Sequence, residues 1–229
     1  MWNQDYVMSS SPREFMYKVY GWMGAGLAIT AGISYWIAST PALYMQLFKS
    51  PGLMMGIILA QLGTVLLISF MRDKLSYAGI VTAFAFYAGL VGITLSSLLI
   101  VYTAESVATA FIITAGMFTA MALYGYFTKS DLSSMGNMLM MGLFGLILAM
   151  LVNMWFQSSA IQYYISLAAV GIFTLLTAYD VQNIKRLAES MMVDAETRNK
   201  IAVMGALSLY MNFINLFIHI LQLFGKRRN

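Results

Sequence analysis

A chain of 229 residues that is 60% hydrophobic and only 10% charged cannot cover its own surface in water, where about 25% charged residues is usual; lipid is its expected solvent. Thirteen Lys and Arg against nine Asp and Glu leave a net charge of +4. That is too small and dispersed for nucleic-acid binding, and it suits basic anchors on an anionic lipid surface. The absence of cysteine excludes a disulfide framework, thiolate metal sites and thiol catalysis.

Residues 1–17 include Asn3, Gln4, Asp5, Arg13 and Glu14 with no compact apolar run before a cleavage site, so they read as an N-terminal cytoplasmic segment rather than a signal peptide. Ser11-Pro12-Arg13-Glu14 reads as a capping box with proline at the first helical position, opening an amphipathic turn. A bilayer core of about 30 Å needs about 20 apolar residues per helix, and seven such spans are expected: 18–39, 52–71, 77–99, 105–127, 133–156, 161–186 and 201–224. Pro41 and Pro51 bracket the first connection, Arg72-Asp73-Lys74 the second, and Lys129-Ser130-Asp131 the fourth. Residues 18–224 then form one transmembrane domain, followed by a basic tail, 225–229. Trp22, Trp36, Trp155, Tyr163 and Tyr164 fall near span ends, where aromatic rings favour the headgroup level.

With seven spans, nine Lys and Arg collect on the side of the N-terminus and four on the other. The positive-inside rule therefore places the N-terminus in the cytoplasm, although the basic tail argues the other way. Gly24, Ala28 and Gly32, with Thr114, Ala115, Gly116, Ala168 and Gly171, allow close helix packing in lipid. Packing inside a monomeric bundle is expected in preference to homodimerisation.

Every charged side chain but one falls at a span end or in a connection. The exception is Asp180, in the sixth span. A carboxylate near mid-membrane costs on the order of 2.5–3.5 kcal/mol, so it should face the bundle interior, as a proton or cation site or as a helix-tying group. The seventh span adds Ser208, Asn212, Asn215, His219 and Gln222, spaced 4, 3, 4 and 3 apart on one stripe. Such a stripe should face inward, making the seventh helix central or pore-lining; polar ties between helices explain the same pattern. His219, the single histidine, lies near its helix end and suggests an interfacial hydrogen bond. Gln61 and Asn153 are further buried amides, and Ser97, Thr103 and Glu105 read as loop and capping residues.

Enzyme templates fail in turn. There is no HExxH, phosphate-binding GxxxxGK or GxSxG elbow. A two-aspartate intramembrane protease would need a second mid-span carboxylate, and a retinal protein would need a lysine between Lys200 and Lys226. No enzymatic activity and no cofactor are expected.

The chain resembles the Bax inhibitor-1 family, also called the transmembrane BAX inhibitor motif family. The resemblance rests on Lys18-Val19-Tyr20, Gly92 to Ser96, Phe111 to Gly116, Tyr124-Gly125-Tyr126, Leu176-Thr177-Ala178-Tyr179-Asp180 through Lys185, and Ala206 to Tyr210 through Phe217. It implies a bacterial inner-membrane member with the last of seven helices central, and a proton-sensitive calcium leak. It also implies that an aspartate of the sixth helix, here Asp180, shares a proton with one of the seventh. This sequence carries Asn212 at that second position, and Gln61 where many relatives have glutamate.

The expected function is accordingly a passive, pH-sensitive calcium leak. Asp180, Asn212, Asn215, Ser208, His219, Gln61 and Thr177 are its candidate path and pH-sensing residues, and Asp180 a transient calcium contact. Calcium ions, protons and the lipid bilayer are the expected partners. The alternative is a non-conducting regulator of another membrane protein, such as a membrane-anchored protease. A proton-coupled transporter would call for further buried carboxylates.

Overall fold

The computed structural model describes residues 11–72, 74–190 and 193–228. Residues 1–10 of the expected cytoplasmic segment, Asp73 of the second connection and Asn229 of the tail lie outside the described residues. Those described form eight helices: α1 Pro12–Ala38, α2 Pro41–Phe48, α3 Pro51–Met71, α4 Tyr77–Val101, α5 Ala104–Phe127, α6 Ser133–Phe156, α7 Ser159–Ser190 and α8 Ala195–Phe224.

The expected seven-span bundle is corrected to six. Six helices, α3 to α8, are long and apolar enough to cross a membrane. α2 has only eight residues. α1 is long, but Gly21, Gly24, Gly26, Gly32, Thr30, Ser34, Tyr35 and two tryptophans dilute its apolar content, and Arg13, Glu14 and Lys18 charge its first turns. Counting apolar stretches by length alone overlooked that dilution. The expectation of a central seventh helix is corrected with it. α8 is the sixth of the six candidate spans, and the chain divides into two compact units whose boundary falls inside it, after Leu207.

Local chemistry starts these helices where the sequence suggests. At α1, Ser11 Oγ accepts from the Glu14 amide and the Glu14 carboxylate accepts from the Ser11 amide, with Pro12 at the first position. Pro41 and Pro51 each open a helix, their missing N–H falling where no intrahelical partner exists. Thr103 caps α5 by accepting from the Ser106 amide. Asp194 precedes α8 and accepts from both the amide and the hydroxyl of Thr197, which holds its carboxyl below the usual range. Ser97, expected in a connection, lies inside α4 and donates to the Thr94 carbonyl.

The first unit contains α1 to α4 and the start of α8. In lipid, helices associate through close packing and hydrogen bonds rather than through a hydrophobic driving force. Thr30 donates to the Ala88 carbonyl at 2.9 Å and Ser34 to the Gly92 carbonyl at 2.8 Å. This constant offset means that α1 and α4 run parallel. Gly26 admits the Phe84 ring and Gly92 admits Ile33. By contrast Gly24, Ala28 and Gly32 are exposed, and a Cβ on either glycine would meet nothing within 4 Å. The small-residue stripe of α1 therefore does not pack inside this unit.

The second unit contains α5, α6, α7 and α8 from Ser208 onward. Phe213 of α8 meets Phe111 and Phe118 of α5 edge-on, each at 5.5 Å between ring centres. α5 crosses α7 so closely at Gly125 that a Cβ there would collide with the Ala178 backbone. Gly136 of α6 gives room to the Tyr179 ring, which a Cβ would meet at 2.6 Å. These two glycines fix the part of α7 that immediately precedes Asp180.

Candidate ion site between α7 and α8

The polar stripe of α8 makes its hydrogen bonds to α7, and the pairs Asp180–Ser208 and Ser166–Gln222 show that the two run antiparallel. Ser208 Oγ donates to Asp180 Oδ2 at 2.6 Å, and Asn212 Nδ2 donates to the same oxygen at 2.7 Å. Two donors four residues apart on one helix face converge on one carboxylate oxygen, as the α-helical repeat allows. Asp180 Oδ1 accepts no hydrogen bond from the described residues. Asn212 is buried, whereas Asp180 and Ser208 are half-buried. The arrangement therefore presents one carboxyl oxygen held by two neutral donors and one to which no described residue donates.

The end of α7 beyond Asp180 is fastened to the α5–α6 connection by a single helix face. Gln182 accepts from the Leu132 amide at 2.9 Å and donates to the Ser130 carbonyl at 2.8 Å. Lys185 donates to the Tyr126 carbonyl at 2.9 Å, with its ammonium 4.8 Å from the Tyr126 ring centre. Arg186 pairs with Asp131 at 2.6 Å. The Ser133 amide, first, and then the Arg186 guanidinium hold the Asp131 carboxyl at about 2. Gln182, Gly125 and Gly136 were not among the residues expected at the site. The Tyr124-Gly125-Tyr126 block contained one of them, but a glycine does not announce which backbone it will meet.

A second polar group lies toward the other end of the α7–α8 contact. Ser166 Oγ donates to Gln222 Oε1 at 2.9 Å, and Gln162 Nε2 donates to the same oxygen at 3.0 Å. Asn153 of α6 donates to Gln162 Oε1 at 3.3 Å and accepts from the Ser158 amide, so it also shapes the α6–α7 turn. His219 is buried, lies flat on the Phe173 ring and has Nδ1 3.3 Å from Ser166 Oγ. The single proton of Ser166 points to Gln222, which leaves His219 Nδ1 as the donor in this pair.

Of the seven candidate residues, the structure brings three together: Asp180, Ser208 and Asn212. Thr177 donates to the Phe173 carbonyl and Asn215 to the Met211 carbonyl, each within its own helix. His219 belongs to the second group. Gln61 is in the other unit, where it donates to the Leu90 carbonyl and Thr94 Oγ1 and ties α3 to α4. Among the described residues no group of three or more His, Cys, Asp or Glu could hold a metal ion. One carboxylate with neutral neighbours falls short of the six to eight oxygen ligands that calcium takes.

Residues 12–229 match the family described as Inhibitor of apoptosis-promoting Bax1. The chain is 47% identical over 216 residues to the inner membrane protein YbhL of Escherichia coli, covering 93% of this chain and 92% of that one. It is 44% identical to an uncharacterized protein of Borreliella burgdorferi, covering 94% and 93%. It is also 35% identical to YrjE of Lactococcus lactis, covering 92% and 90%. A match of this length, carried by a helical chain with six candidate spans, leaves no room for a local or partial likeness: the chain belongs to the Bax inhibitor-1 family of multi-pass membrane proteins.

Proposed function

We propose that the chain is a passive, pH-sensitive cation leak of a bacterial inner membrane, with calcium as the conducted ion and Asp180 as its titrating and ion-contacting residue. The observation that carries this reading is the convergence of Ser208 and Asn212 on Asp180 Oδ2, with Oδ1 free of protein donors. Here one oxygen is fixed and the other is open. Membership of the family and the similarity to an inner-membrane relative support the membrane assignment.

Asn212 holds the carboxylate but cannot ionise or share its proton. The pH response of this chain is then that of one acid rather than of a coupled pair. Protonated Asp180 offers no charge to a cation, so flux rises with pH. Calcium flux into proteoliposomes at pH 6 and pH 8, wild type against Asp180→Asn, tests this. Expected are higher flux at pH 8 for wild type, and low flux without pH dependence for the variant. Equal flux in both proteins at both pH values overturns the proposal. Wild-type flux no greater than in protein-free vesicles also overturns it, in favour of the non-conducting regulator. Asn212→Asp places a second carboxylate beside the first and should steepen the pH response. The proposal puts the N-terminus in the cytoplasm; with six spans from α3 to α8 the α5–α6 connection then lies outside, so in a chain without cysteine Ser130→Cys should be labelled by an impermeant maleimide in intact cells.

A further inference from the structure

The basic tail, which ran against the charge-based orientation, is not a loose end of the chain. After α8 ends at Phe224, the Gly225 amide bonds back to the Leu221 carbonyl, and the Thr103 amide donates to the Lys226 carbonyl at 3.1 Å. The Lys226 amide donates to Ser106 Oγ at 2.9 Å, and Arg227 forms an antiparallel bridge with Tyr102. Gly225 is required at this turn, because a Cβ there would run into the Leu221 carbonyl and the buried Tyr102 ring. Lys226 and Arg227 are thus stitched to the start of α5 and the residues just before it.

Beside this stitch is a cleft of roughly 180 Å³ lined by Glu105, Ser106, Ala110, Ile113, Phe224 and Lys226. It is two-sided in chemistry. Ile113 and Phe224 are exposed apolar side chains, 38% and 72% accessible. Lys226 and Arg227 are exposed cations, and no carboxylate among the described residues pairs with either. Lys226 lines the cleft with one carboxylate, Glu105, and Arg227 and Arg228 follow directly in the sequence at its rim. The cleft also lies at the ends of two candidate spans, α5 and α8, where hydrocarbon gives way to headgroups.

We propose that this cleft binds an anionic phospholipid, its phosphate against Lys226 and Arg227 and the upper part of an acyl chain along Ile113 and Phe224. The charge balance decides the headgroup. Backbone hydrogen bonds already fix the segment that carries these cations, so only their side chains are ordered on meeting a phosphate, and long basic side chains keep their stems on apolar surface while the head stays at the interface. The net positive rim favours an anionic lipid over a zwitterionic one, because each cation near the surface strengthens the attraction about fivefold. The site stands apart from Asp180 and does not depend on ion conduction.

The test uses Phe224→Trp in the otherwise intact chain, reconstituted in phosphatidylcholine vesicles, with its fluorescence taken as the difference from the parent protein. Brominated phosphatidylglycerol should quench this tryptophan at several-fold lower mole fraction than brominated phosphatidylcholine. Adding Lys226→Gln and Arg227→Gln should abolish that preference, and Glu105→Gln should strengthen it. Inorganic phosphate at millimolar concentration should leave the quenching unchanged; relief by phosphate would assign the cations to a free anion instead. Equal quenching by the two lipids, or a preference that survives the loss of both cations, overturns the proposal.

Discussion

The two polar groups along the α7–α8 contact are built from similar parts and end in opposite states. At one, Gln162, Ser166, Gln222 and His219 donate and accept among themselves until Gln222 Oε1 takes two donors and Ser166 has spent its proton. At the other, Ser208 and Asn212 both spend their donors on one oxygen of Asp180. The first is a network of neutral groups that ties helices. The second is built on an acid and leaves one of its oxygens unmatched by the described residues. Between them Phe173 lies on His219, and Thr177 and Asn215 turn to their own backbones. A polar stripe in a membrane helix therefore does not by itself mark a path; what distinguishes the two is whether an acid with an unmatched oxygen is part of the group.

The largest expected effect comes from the charged group. Asn212→Leu removes one of two donors to a half-buried carboxylate, and a hydrogen bond to a charged group contributes about 1.5–3 kcal/mol. Denaturant unfolding of the purified protein in bicelles should show a loss in that range at pH 8. Gly125→Ala comes next in its consequences. The added methyl must push α5 away from the Ala178 backbone, which cannot rotate aside as a side chain would, and overpacking of this kind costs about 1–3 kcal/mol. Because the displaced segment leads directly to Asp180, the variant should also lower calcium flux. A stability loss with unchanged flux would separate the packing of α7 from the placing of its acid.

The neutral group should be more forgiving. Gln222→Leu breaks contacts to Gln162 and Ser166, but interhelical hydrogen bonds in membranes average about 0.6 kcal/mol, and the abandoned partners can turn to one another. The same unfolding measurement should find a loss well below that of Asn212→Leu. Equal losses would mean that charge makes no difference here, and the contrast between the two groups would dissolve.

Much of this was legible in the sequence because membrane physics is severe. Asp180 stood out as a lone acid inside an apolar segment, and the stripe from Ser208 to Gln222 followed from helical spacing alone. That Asp180 meets Ser208 and Asn212 follows from pairing these two signals. What the pattern left out was partner choice. Asn215 and Thr177 share the stripe or the motif with the site residues, yet each finds a carbonyl one turn back in its own helix, an option no spacing rule excludes. Gln61 has the composition of a site residue and a structural position between α3 and α4. The number of spans was misjudged because α1 has the length of a membrane helix without its apolarity, and Gly24, Ala28 and Gly32 were assigned an inward face that the structure gives to Gly26.

The smallest effect is expected at Asp131, and it sharpens the comparison by elimination. Asp131 and Glu189 pair with Arg186 and Lys185 of the α7 face just beyond Asp180, so a pH-dependent flux has to be assigned among three carboxylates, and Asp131 is the one held closest. The Ser133 amide and Arg186 hold the Asp131 carboxyl at about 2, below its ordinary 3.8. A group depressed in this way contributes its stabilisation above its unfolded value and loses it only as pH falls through the folded one. The Asp131–Arg186 pair is therefore complete throughout pH 5 to 8 and cannot supply a response there. Asp131→Asn should shift the flux at pH 6 and pH 8 by the same factor, leaving their ratio as in wild type. A ratio that collapses in this variant would move the titrating group from the α7–α8 contact to the α5–α6 connection, and would leave Asp180 with only a structural part.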